Sequence, residues 1–148
     1  MGLPTYNSQQ LQIERRYFVG ITVLRKGQVL CYQEDAALTG NTKTRLGMAV
    51  EVPTANNLNC VAGFVCDSSA GLTGPCFVDV IVPRQGDVLQ VECDGTANIA
   101  VENFLELDVT LGGLIYDASR AATVTLSAIA LEAWTTDATL KAIWVYIL

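Results

Sequence analysis

The sequence predicts an all-β protein, a single compact β-barrel or β-sandwich domain over residues 17–148 with an extended N-terminal arm over residues 1–16. Three observations carry that prediction. Short apolar runs recur along the chain, divided by Gly, Pro, Asn and Asp turn chemistry. The clearest runs alternate with period two, which sends successive side chains to opposite faces of a strand. The length, 148 residues, suits one domain whose core needs neither disulfides nor metal.

The arm is polar and Gln-rich. Leu11 and Ile13 alternate with Gln10, Gln12 and Glu14, and Arg15-Arg16 ends the segment. Too little apolar surface is present to order it alone. The alternation suits addition as a strand to a partner's sheet edge, and the arginines suit acidic groups there. Leu11, Ile13, Arg15 and Arg16 are therefore candidate interface residues.

Residues 17–24 are β-branched and aromatic, Arg25-Lys26-Gly27 turns the chain, and residues 28–33 answer as a second strand of a hairpin. A polar loop is expected over 34–45, a strand over 48–52 that stops at Pro53, and a buried strand over 60–66. In residues 76–82, Cys76, Val78, Val80 and Val82 share one face and Phe77, Asp79 and Ile81 the other. After the turn at 83–87, Leu89, Val91 and Cys93 point to the core, with Gln90 and Glu92 on the solvent side. Together these predict a hairpin over 76–93. Residues 98–107 suit a bulged strand or a short helix, and 108–116 look extended. Over 123–133 the alanines invite a helix, but the Thr-Val-Thr start favours a strand. No repeat of 20–50 residues is visible. The terminal strand, 140–148, is apolar on both faces, so both require cover. Trp144 and Tyr146 there, with Trp134 in the preceding turn, complete the candidate interface.

Composition narrows function. Charged residues are 16% and hydrophobic residues 51%, which fits either a Ser/Thr/Asn/Gln-covered surface or one buried by partners. Residues 1–45 carry six bases and three acids; the rest carries three bases and twelve acids. An acidic body argues against nucleic acid, since phosphate contacts need a basic face. No run reaches the length of a membrane helix, and residues 1–16 lack the apolar core of a signal peptide. Synthesis in the cytoplasm is the expectation. Five cysteines, mostly inside apolar runs, read as reduced core residues. No metal site is expected, because spacing is poor and His is absent.

The absence of His removes the commonest general base and the Ser–His and Cys–His pairs. Glu102 and Glu106 remain as a glycosidase-like carboxylate pair, although solvated carboxylates are far commoner. The glycines form no phosphate-cradling pattern. No catalytic, cofactor-binding or metal-binding residue is assigned.

The phrases Val61-Ala62-Gly63-Phe64-Val65, Ala70-Gly71, Cys76-Phe77-Val78-Asp79-Val80-Ile81-Val82 and Gly86-Asp87-Val88-Leu89 resemble the small β-barrel head decoration, or cement, proteins of tailed bacteriophages. Residues 127–133 and 142–148 resemble the last two strands of that group. The likeness covers roughly residues 48–148 and departs at Ile129, where a glycine or small polar residue is typical. It implies a non-enzymatic homo-oligomer, often a trimer, bound to the major capsid protein on the virion exterior, with no cofactor. Three rivals stay open: another phage structural part such as tail or baseplate, a carbohydrate- or ligand-binding β module using Trp134, and a carboxylate enzyme.

Overall fold

Each apolar run finds its partners far along the chain. The computed structural model describes residues 10–33, 49–54, 57, 60–94, 98–107, 114–116, 126–135 and 140–148. Ten strands cross them: β1 Gln12–Phe18, β2 Val29–Tyr32, β3 Ala49–Glu51, β4 Val61–Val65, β5 Cys76–Val82, β6 Val88–Asp94, β7 Phe104–Leu107, β8 Leu114–Tyr116, β9 Ser127–Ala130 and β10 Leu140–Ile147. One 3₁₀ turn, Asp67–Ser69, interrupts them. The protein is all-β, as its turn punctuation and alternation predict. The loop expected over 34–45 lies outside the described residues.

The strands close two barrels rather than one. In the first the order is β1-β3-β2-β4-β5 and back to β1; in the second it is β10-β6-β8-β7-β9 and back to β10. Starting from β6, the second reads β6-β8-β7-β9-β10, the same connection order as the first. Directions agree too. β1–β3 and β6–β8 are the parallel pairs, and every other pairing is antiparallel. The chain therefore contains a repeated five-strand unit. The repeat escapes the sequence because the units start at Gln12 and Val88, farther apart than the 20–50 residues of common repeats, and topology constrains face pattern more than residue identity.

The two expected hairpins are corrected. β5 pairs with β1 and β4, β6 with β10 and β8, and β5 and β6 do not pair with each other. The turn between them is the crossover from one barrel to the other. It is pinned by the Arg84 N–H to Asp87 Oδ2 (2.9 Å) and the Asp87 N–H to the Arg84 carbonyl (3.0 Å). The Gly86 N–H then donates to the Ile147 carbonyl at 2.9 Å, clamping the turn onto β10. Likewise β3 lies between β1 and β2. Closing each unit on itself removes the free sheet edges that adjacent pairing would leave.

The arm is also corrected. Gln12 through Phe18 pair residue by residue with Val82 through Cys76, so the boundary expected at residue 16 falls inside a barrel strand. Leu11 packs against the core. Residues 1–9 lie outside the described residues.

Burial follows the alternation. Phe18, Leu24, Leu30, Val50, Ala62, Val65, Val78 and Val80 fill the first barrel. The second is filled by Leu89, Val91, Cys93, Leu105, Leu107, Ala128, Ala130, Ile143, Val145 and Ile147, and that cluster continues into Val29, Cys31 and Phe64 of the first unit. β2 thus buries both faces, Leu30 into its own barrel and Val29 and Cys31 against the other, which explains its unbroken apolar run. On β4 the register slips between Leu30↔Gly63 and Cys31↔Val61. This bulge resets the alternation, so that Ala62 and Val65 stay in the first barrel while Phe64 enters the second. Gly63 (φ +151°) permits it, because a Cβ there would lie 2.3 Å from the Ile81 carbonyl oxygen.

A second seam joins the units. Gly27 (φ +76°) lies so close to β6 that a Cβ would sit 2.7 Å from the Gln90 carbonyl oxygen, and its own carbonyl accepts the Glu92 N–H at 2.9 Å. Arg25 grips the Glu92 carboxylate at both oxygens, 2.6 and 3.0 Å. Glu92, expected on the solvent side, is buried because the first barrel covers it.

Candidate interaction surface

Two ladders dominate the molecule, β1 with β5 and the equivalent β6 with β10. On the outer face of the first, three rungs follow one another: Ile13↔Ile81, Arg15↔Asp79 and Tyr17↔Phe77. Ile13 is 53% exposed and Phe77 58%. The Tyr17 and Phe77 rings meet edge to face, centroids 5.3 Å apart. Arg15 Nε lies 3.2 Å from Asp79 Oδ1. The 3₁₀ turn holds the acid in place: Ser68 Oγ donates to Asp79 Oδ2 (3.2 Å), and Ser69 Oγ accepts the Asp79 N–H (2.8 Å).

On the second ladder Ile143, Val145 and Ile147 point inward while Trp144 (42% exposed) and Tyr146 (38%) point out, with Leu148 also exposed beyond the strand. Of the two apolar faces that require cover, the chain itself covers one. Trp144 borders a groove of 580 Å³ between the two barrels, walled by Leu11, Val65, Ile81, Val88 and Gln90. Lys26 and Asp67, paired at 3.1 Å, stand at its edge. Trp134 reverses its expected role as well. It is half-buried against the core, bridged to Ile99, with the Lys141 ammonium 4.8 Å from its ring centre. A sugar platform needs an open face, and here the ring packs on the core and meets the Lys141 ammonium.

The described bases of the N-terminal region, and Arg84 with them, are paired from within. Arg15 pairs with Asp79, Arg16 with Glu14, Arg25 with Glu92, Lys26 with Asp67 and Arg84 with Asp87. Arg16 also faces the Tyr32 ring at 5.9 Å. The Glu92 carboxylate beside Arg25 holds that guanidinium's pKa above its ordinary value, against the opposing effect of burial. Arg15 and Arg16 therefore each have a carboxylate partner within the chain, unlike the unpaired arginines of the arm reading.

The carboxylate candidates separate. Glu102 sits in an exposed turn with a left-handed backbone (φ 70°), whereas Glu106 is half-buried on β7 opposite Ser127. Asp79, Asp87 and Glu92 are each held by an arginine. Burial pushes the Cys31 and Cys93 thiols up to about 12, which keeps them protonated and unreactive at neutral pH. Of the remaining three, Cys76 is half-buried against the first core, Cys66 is half-buried, and Cys60 is exposed, contrary to the core reading. Among the described residues no group of three His, Cys, Asp or Glu is placed to hold a metal.

Of the candidate interface residues, the structure gathers Leu11, Ile13, Arg15, Trp144 and Tyr146 on the two ladders and the groove between them. Arg16 and Trp134 are engaged internally. Phe77 and Ile81 were missed, although their alternation with Val78 and Val80 is the signal that turns them away from the first barrel's core, Phe77 to the surface and Ile81 to the groove. No protein-family model matches the chain, and no curated protein matches it.

Proposed function

We propose that this protein is a non-enzymatic virion component that decorates or cements the capsid of a tailed bacteriophage. It would dock the outer face of β10 and the adjoining groove on the major capsid protein, at the virion exterior. The observation that carries this reading is the chain-terminal strand, which is locked into a barrel by one face and presents Trp144, Tyr146 and Leu148 on the other. Half-exposed aromatics on a rigid strand are what a binding surface uses, because they bury large area while losing little rotamer entropy. The likeness over residues 48–148 supplies the capsid as recipient. The arginine-bound carboxylates and protonated core thiols support a non-catalytic role.

The test is co-sedimentation with capsids that lack the protein. Saturable binding by the wild type, weakened at least about tenfold by W144S with Y146S, supports the reading. Binding to tails instead of heads would make it a tail or baseplate component. The groove favours one other reading, a ligand-binding β module. Quenching of Trp144 fluorescence by a small apolar ligand, without capsid binding, would establish it.

A further inference from the structure

We propose that the outer face of the β1/β5 ladder is a self-docking surface, on which a second copy of this chain packs across a two-fold axis running along the strands. This does not rest on the capsid reading. It rests on the order of the three outward rungs: aliphatic Ile13↔Ile81, charged Arg15↔Asp79, aromatic Tyr17↔Phe77.

Two copies of a sheet face packed on each other by a dyad must have that dyad lying between the sheets. For an antiparallel ladder there are two simple choices. A dyad across the strands sets Arg15 on the partner's Arg15 and Asp79 on the partner's Asp79. A dyad along the strands, midway between β1 and β5, sets Arg15 on the partner's Asp79, and the reverse. It also sets Tyr17 on the partner's Phe77 and Ile13 on the partner's Ile81. Charge complementarity selects the second, since like charges across an interface are strongly disfavoured. The four charges then alternate in sign around a square, with four rings on one side and four aliphatic chains on the other.

The exposures fit. The Arg15 side chain is 69% exposed while its only ion-pair partner among the described residues is Asp79, so its guanidinium has donors to spare for a second carboxylate. Asp79 is oriented by Ser68 and the Ser69 hydroxyl. On the flanking rungs Ile13, Tyr17 and Phe77 are exposed, while Ile81 is half-buried at the edge of the groove, and aligned sheet packing brings such faces together at about 10 Å. A ladder of this length spans about 23 Å, which places the interface at the small end of specific contacts, below about 1,200 Å² in total. The association is accordingly weak in free solution and strengthened wherever copies are held close together.

The experiment is sedimentation velocity of the full chain over a wide concentration range, at low and high salt. The wild type should show a concentration-dependent dimer that weakens with salt. R15D places like charges across the dyad, as does D79R, and each alone should weaken dimerisation at least about tenfold. An equimolar mixture of the two should restore it, because both cross-contacts again join opposite charges. Loss of the internal ion pair is common to both variants, so restoration reports the contact between copies and not stability. F77S, at an exposed position, should also weaken the dimer, and it serves should either charge variant fail to fold. A wild type that stays monomeric throughout overturns the proposal. So does a mixture no more dimeric than its components, or an F77S protein as dimeric as wild type.

Discussion

Cys31 and Cys93 differ from the other three cysteines by position alone. Both are fully buried, one between the barrels and one within the second. Labelling of the native protein should modify Cys60 fastest and leave Cys31 and Cys93 untouched, while unfolding should expose five free thiols. Modification of Cys31 before Cys60 would contradict the burial. The same two thiols impose an alkaline limit on stability. Their pKa rises from an ordinary 9.0 to about 12 in the folded state, so the folded protein holds protons that the unfolded chain releases. Their contribution is intact below about pH 9 and is lost as pH rises toward 12, by about 1.4 kcal/mol per pH unit for each thiol. A C31A/C93A protein should lose stability less steeply across that window in urea titrations; identical slopes would refute the linkage.

Within β10, neighbouring positions have opposite fates because side chains alternate. Ile143 is fully buried and Trp144 is not. Ile143→Ala should destabilise by about 2–5 kcal/mol. Trp144→Ala should cost only about 1–2 kcal/mol, since much of the ring never leaves water. Equal losses in chemical unfolding would mean that the Trp144 ring is buried after all. The run Ile143-Trp144-Val145-Tyr146-Ile147-Leu148 reveals that this strand is demanding of cover, and its alternation could have separated the two faces. What it cannot reveal is which face the chain itself covers.

The two barrels share one packed seam. Phe64 belongs to the first unit by its ladder and to the second by its packing, and the Arg25–Glu92 pair ties the same seam. Calorimetry should show a single unfolding transition with matching calorimetric and van't Hoff enthalpies. Phe64→Ala should lower it by about 3–5 kcal/mol. Two resolved transitions in the wild type would show that the units fold separately.

Composition, turn chemistry and alternation were sufficient for the all-β class, for the strands 61–65, 76–82 and 140–147, and for the outward direction of Phe77 and the inward direction of Val78. These are local properties: the pleat dictates period two, and Gly, Pro and Asn mark where a strand can stop. Partner choice is not local. The turn at 83–87 looks like a hairpin because nothing in its residues says that β5 closes on β1 and β6 on β10. Gln12 to Arg16 look like a loose arm because the strand that orders them lies more than sixty residues away in the sequence. Glu92 looks solvated until Arg25 arrives from the other barrel. The tertiary structure alone decided the doubling of the barrel, the pairing of Arg15 with Asp79 and of Arg25 with Glu92, and the half-exposed outer face of β10, because each depends on long-range closure that short sequence windows do not encode.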